Sequence, residues 1–278
     1  MFRFLVLFFF LLIASVSGAE KKIPILCYHR FGPEVTDSMT VQTSAFASQL
    51  AWLKQNGYTV IPLDTAVRSL KGEKITLPPK PVVITVDDGH KSVYSDMAPL
   101  VKRYKIPVTL FVYPSAISNA AYAMSWEQLR ELEASKLFRV ESHTYWHPNF
   151  KKEKQKLSPA EYDRFVDKQL AGAKKKLEEK MGHEVKYLAW VFGIYDEELE
   201  RKASQAGYAA AFTIDRAHAA SAAKMTAQPR YMIVSRHDSQ AFVRMVDGTE
   251  ERISASTRSS KQRYGENRTI KKTDNSKS

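Results

Sequence analysis

Two hydrophobic periods take turns along this chain. Short, nearly continuous apolar runs at residues 23–28, 58–62, 81–86, 108–113, 138–142, 185–190, 208–214 and 231–234 predict strands. Between them the apolar positions fall at helical spacing. Ser44 opens a helix carrying Phe46, Leu50 and Leu53, which Asn56-Gly57 ends. Further helices are predicted over residues 64–70 and 94–104, and after Ser125, where Glu127 and Gln128 fall in the first turn. Ser158-Pro159-Ala160-Glu161 carries the cap, the first-turn proline and the acid of a capping box. The helix behind it buries Phe165, Val166, Leu170, Ala173, Leu177 and Met181 until Gly182 stops it. A repeated strand-then-helix order predicts parallel strands surrounded by helices. Either a closed or distorted barrel or an open doubly wound sheet satisfies that order.

The two ends break the pattern. Residues 1–19 begin with the single basic Arg3, run apolar from Phe4 to Ile13 and finish in small residues around Ser17 and Ala19, which is the layout of a secretory signal peptide. An uncleaved anchor is the alternative, but the apolar stretch is short for a span, so no stable membrane span is expected after cleavage. Residues 20–248 then make one domain, with no internal repeat or linker. Residues 249–278 are polar and rich in Ser, Lys and Arg, and are expected to be a basic, disordered tail.

Composition refines this picture. Hydrophobic residues make up 44% of the chain, enough for a core, and the one cysteine, Cys27, cannot form an internal disulfide. Cys27 reads as a small buried residue. The formal net charge of +12 suits an anionic cell surface, met through the tail, whereas nucleic acid is a poor partner for an exported protein. Secreted or periplasmic placement follows from the leader.

Chemistry gathers at the ends of two strands. Asp87-Asp88-Gly89 follows the run ending at Val86, where parallel architectures collect functional groups, and strand alternation sends the two carboxylates in different directions. His143 and His147 follow the strand ending at Ser142. Four residues apart on a helical turn, both imidazoles would reach one ion. Asp88, His143 and His147 then form a two-histidine, one-carboxylate set with open positions, and Asp87 is the natural base. Each segment alone has a plainer reading, a turn or cap for the aspartates and chance spacing for the histidines. Their co-occurrence on neighbouring strand–helix units favours a metal site.

Thr85-Val86-Asp87-Asp88-Gly89 resembles the Thr-Phe-Asp-Asp-Gly motif of polysaccharide deacetylases, the NodB-homology group, with Val86 in place of Phe. His143-Thr144-Tyr145-Trp146-His147-Pro148 resembles their His-Ser/Thr-x-x-His-Pro motif at every defined position. The resemblance spans roughly residues 23–246 and is nearest to the poly-N-acetylglucosamine deacetylase-like branch. It implies a distorted (β/α) barrel, a divalent ion such as zinc, cobalt or nickel on Asp88, His143 and His147, and Asp87 as catalytic base. Leu188-Ala189-Trp190-Val191-Phe192-Gly193 resembles that branch's Phe-Ala-Tyr-Pro-Tyr-Gly segment, with Val191 where proline is usual. By that match the backbone N–H of Phe192 helps hold an oxyanion.

Leu26-Cys27-Tyr28-His29 resembles the branch's Leu-x-Tyr-His segment, which makes His29 the general acid, with a structural histidine as the alternative. His237 is a rival for that role. Arg230 stands where the branch often has arginine, either orienting a carboxylate or forming a surface salt bridge. The function implied is a metal-dependent hydrolase that removes N-acetyl groups from an N-acetylglucosamine-containing glycan. An O-acetyl glycan esterase and a non-catalytic glycan-binding module on the same fold are the alternatives.

Overall fold

The computed structural model describes residues 20–250. The expected leader, residues 1–19, and all but the first two residues of the expected tail, 249–278, lie outside the described residues. The start of that segment touches the folded domain, because Arg216 Nε donates to the Glu250 carboxylate (2.9 Å).

Eight of the strands form one sheet, and two short pairs, Lys22–Ile23 with Ala219–Ala220 and Arg30–Gly32 with Thr40–Gln42, lie outside it. Ala210–Phe212, Tyr187–Ala189, Phe138–Ser142, Val108–Val112, Pro81–Asp87, Ile25–Tyr28 and Tyr231–Met232 follow one another in space, and Thr59–Val60 pairs with the start of Pro81–Asp87. Every neighbouring pair within the sheet is parallel. The segment before the last strand joins the two edges. Gln228 N–H donates to Ala211 O and Thr213 N–H to Gln228 O, both at 2.9 Å, while Tyr231 and Met232 pair with Leu26 and Cys27. Those contacts curl the sheet into a distorted barrel and settle the alternatives the strand order leaves open.

A strand buried on both faces reads as an unbroken apolar run, and Pro81–Asp87 shows why. Val82, Ile84 and Val86 belong to the core under the helices, with Leu26, Tyr28, Leu110 and Val112. Val83 belongs to a second core with Ile25, Phe111, Tyr187 and Phe212, into which the helix Leu63–Leu70 sets Leu63, Ala66, Val67 and Leu70. Alternation therefore places Cys27, Thr85 and Asp87 on the inner face, in step with Ile25 and Val83.

Several elements differ from the sequence pattern. The last three strands are shorter than predicted, and Thr213, inside the predicted run 208–214, bonds to Gln228 instead of continuing the ladder. The helix Thr43–Gln55 starts one residue before Ser44, with Gln42 at its cap and no side-chain bond there. The helix after Ser158 is interrupted. Pro159–Asp167 passes through a wide π turn at Lys168–Gly172 into Ala173–Met181, which ends at Gly182 with φ 74°.

Candidate active site

Asp87 is the last residue of its strand and Asp88 the first beyond it, with φ 74°. That left-handed backbone, followed by Gly89 at φ 75°, turns the second carboxylate out of the strand direction. A Cβ on Gly89 would sit 3.0 Å from Ile117 Cδ1 and 3.1 Å from Val112 Cγ1, so the turn is packed as well as sharp.

His143 and His147 do not share a helical turn. Residues 143–149 are an irregular loop in which Thr144 (φ 65°) and His147 (φ 66°) are left-handed, and a helix begins only at Phe150, capped by Asn149. The two imidazoles converge nonetheless. His143 Nε2 lies 3.5 Å and His147 Nε2 3.3 Å from Asp88 Oδ1. Asp88 Oδ1 is buried and accepts no hydrogen bond, so three lone-pair donors face one another around an orphaned oxygen. Such a donor set fits a divalent cation.

Outer contacts fix these donors. His143 Nδ1 lies 2.8 Å from Ala189 O, so a proton on Nδ1 leaves Nε2 as the ligand atom. Burial holds His143 down at about 4, neutral as a ligand must be. Burial alone would raise Asp88; closeness to His147 and His143 outweighs it and lowers the carboxyl below its ordinary value. The loop itself hangs on Gln169, whose Oε1 accepts from the N–H groups of Tyr145 (3.2 Å) and Trp146 (3.1 Å). Gln169 lies in the π turn, where the Leu170 carbonyl sits 3.0 Å from the Tyr208 hydroxyl.

Arg230 is fully buried and is no surface residue. Its Nη1 and Nη2 donate to Asp87 Oδ1 (2.8 Å) and Oδ2 (2.7 Å), Nη1 also meets Thr85 Oγ1 (3.1 Å), and Nε donates to Thr213 O (3.0 Å). Burial pushes Asp87 upward, but the Arg230 guanidinium, then His143, more than offset it and hold the carboxyl well below the usual carboxylate range. His29 offers a ring nitrogen within 4.8 Å of the Asp87 carboxylate and Cys27 Sγ, and its Nδ1 is buried without a hydrogen bond.

His237 lies elsewhere. Its Nδ1 accepts from Val234 N–H (3.2 Å) and its Nε2 is 3.5 Å from Arg216. Phe192 (φ 54°) sits in the single turn Val191–Gly193, 57% exposed as a residue, with its ring 4.7 Å from that of His147. The turn forms with Val191 in place of proline, and Gly193 is required there, since a Cβ would meet Ile214 Cγ1 at 2.6 Å.

A cavity of about 380 Å³ opens on Asp88 and His147 and is lined also by Arg30, His90, Tyr113 and Tyr122. The Tyr113 and Tyr122 hydroxyls share a 2.5 Å hydrogen bond. A separate cavity of about 520 Å³ opens where strands begin, at Val108, Phe138 and Tyr187. Cys27 and Gln169 escape a reading of motifs. Period-two spacing puts Cys27 on the face of His29 and so carried a signal, whereas Gln169 carried none.

Residues 74–211 match the family model for polysaccharide deacetylase. The chain is 29% identical over 155 residues to the poly-beta-1,6-N-acetyl-D-glucosamine N-deacetylase of Escherichia coli K12, a match covering 50% of this chain and 23% of that protein. It is 27% identical to IcaB from Ammonifex degensii, with a TM-score of 0.67 over 81% of this chain and 96% of that one. The Streptococcus pyogenes deacetylase PplD, solved in complex with acetate, shares the fold with a TM-score of 0.72 at 22% identity, over 82% of this chain and 99% of that one. This chain belongs to the polysaccharide deacetylase family. It spans about a quarter of the length of the Escherichia coli relative. Among the described residues, no helix is long and apolar enough to cross a membrane.

Proposed function

We propose that this chain removes N-acetyl groups from the N-acetylglucosamine units of a polysaccharide or oligosaccharide, by metal-dependent hydrolysis. The observation that carries the reading is Asp87, clamped through both carboxylate oxygens by Arg230, immediately beside the convergent Asp88, His143 and His147 donors. The name of the Escherichia coli relative supports the substrate class.

Asp87 accepts a proton from water as the water oxygen attacks the acetamide carbonyl. The Phe192 N–H faces the resulting oxyanion, and His29 protonates the amine as the C–N bond breaks, leaving acetate and a free amino sugar. Arg230 keeps Asp87 ionised at a cost in basicity. A divalent ion on Asp88, His143 and His147 would offset that cost by acidifying water and polarising the carbonyl. Zinc suits the donor set, and cobalt or nickel would also fit it. The domain doing this work is residues 20–248. Residues 1–19 direct the chain to the periplasm or outside the cell, and the basic segment 249–278 meets an anionic surface.

Acetate release from matched N- and O-acetylated oligosaccharides tests the reading. Release from the N-acetylated member is expected, and chelation or Asp87→Asn should remove at least about 99% of it. Activity that survives both treatments, or that is confined to the ester, would refute the proposal.

A further inference from the structure

The Asp87 carboxylate has a third donor besides the two Arg230 nitrogens. Cys27 Sγ lies 3.3 Å from Asp87 Oδ2, nearer than its other acceptor, the Tyr28 carbonyl at 3.9 Å. The position is set by the fold. Cys27 is opposite Thr85 in the parallel pair of strands, and both point inward with Asp87 two residues further on. The thiol is wholly buried, and burial pushes its pKa well above the ordinary value, with Arg230 opposing only in part. It is therefore a protonated donor toward the carboxylate.

Counting lone pairs gives this contact a consequence. A carboxylate offers about four acceptor positions, two on each oxygen. Arg230 takes one on Oδ1 and one on Oδ2, and Cys27 takes the second on Oδ2. One position remains, on Oδ1. We propose that Cys27 is a positioning residue that occupies Asp87 Oδ2 and fixes the carboxylate rotation, so that Oδ1 alone receives the proton from water. The inference rests on the reading of Asp87 as proton acceptor. A thiol suits the task because it is a weak donor: it blocks a position while withdrawing less basicity than a hydroxyl would.

The test compares Cys27→Ala, Cys27→Val and Cys27→Ser in the full chain loaded with a divalent ion, using acetate release from an N-acetylglucosamine oligomer. The two donor-free variants differ in volume, so that a packing failure in one leaves the other. Both should lower kcat about tenfold with KM and metal content unchanged, and Cys27→Ser should recover kcat to within about threefold of the parent. A packing role predicts the opposite order, because a buried hydroxyl is costlier than a methyl of similar size. Donor-free variants with the parent's kcat, a serine variant as slow as alanine, or a loss confined to KM would each overturn the proposal. Asp87→Asn is measured alongside. If it is inactive while the Cys27 variants match the parent, only the role of Cys27 fails; if it is fully active, the reading of Asp87 fails and this inference with it.

Discussion

Arg230 shows how burial changes the meaning of one residue. Beside Pro229 in the sequence it suits a surface salt bridge as well as a carboxylate clamp, and its complete burial against Asp87 decides for the clamp. Two parallel N–H donors fix the carboxylate plane, which a point charge cannot do. Arg230→Lys should therefore keep a cation beside Asp87 yet lower kcat at least about tenfold. It should also cost about 1–3 kcal/mol in denaturant unfolding, because buried acceptors lose partners. A lysine variant with unchanged kcat would show that charge alone suffices. Asp87, Asp88, His143 and His147 were legible because each pair lies within a short string at a strand end. Arg230 meets Asp87 across 143 residues, and Cys27 meets it across 60, so those contacts exist only once strand register is set.

At the scale of elements, local signals were read well where they are chemical. Ser125, where the sequence predicts a helix start, accepts from Gln128 N–H (3.2 Å) while Gln128 Oε1 accepts from Ser125 N–H (2.9 Å), a reciprocal capping box. The π turn at Lys168–Gly172 left no such trace. An added residue in one turn shifts the apolar stripe too little to see, and Leu170, Ala173 and Leu177 remain buried across it. The turn nonetheless sets Gln169 against the loop that carries His143 and His147. The left-handed residues Thr144 and His147 also explain why the expected helical turn is absent: helix geometry already brings i and i+4 together, whereas this loop converges by bending back. Gln169→Ala frees two loop N–H groups and should weaken binding of the divalent ion about tenfold or more, read by equilibrium dialysis. Unchanged affinity in a folded variant would mean that the loop holds its shape without Gln169.

For the whole molecule, the barrel interior holds the polar cradle around Asp87 and, two strands away, a second buried carboxylate, that of Glu141, which pairs through Phe111 with the level of Asp87. Glu141 is 1% exposed and its Oε2 accepts from Lys186 N–H (2.7 Å) and Tyr187 N–H (2.8 Å). Those bonds matter because the strands Phe138–Ser142 and Tyr187–Ala189 are in register at Ser142 and Leu188 alone. A side chain thus completes the join that a longer ladder would have made. Burial pushes Glu141 up to about 7, with the two N–H groups and Arg139 opposing. The native state then binds a proton that the unfolded chain, with an ordinary glutamate, has lost between pH 4.5 and 7. Stability from this group is therefore fully present below about pH 4.5 and is lost as pH rises toward 7, by about 3 kcal/mol at most. Glu141→Gln keeps a carbonyl for the Lys186 and Tyr187 N–H groups and cannot titrate. Urea unfolding at pH 5 and pH 8 should find the variant close to the parent at the lower pH and more stable than it at the higher. An equal fall in both proteins would assign the pH dependence to other groups, and a variant weaker at both would show that the carboxylate stabilises the join in its charged form.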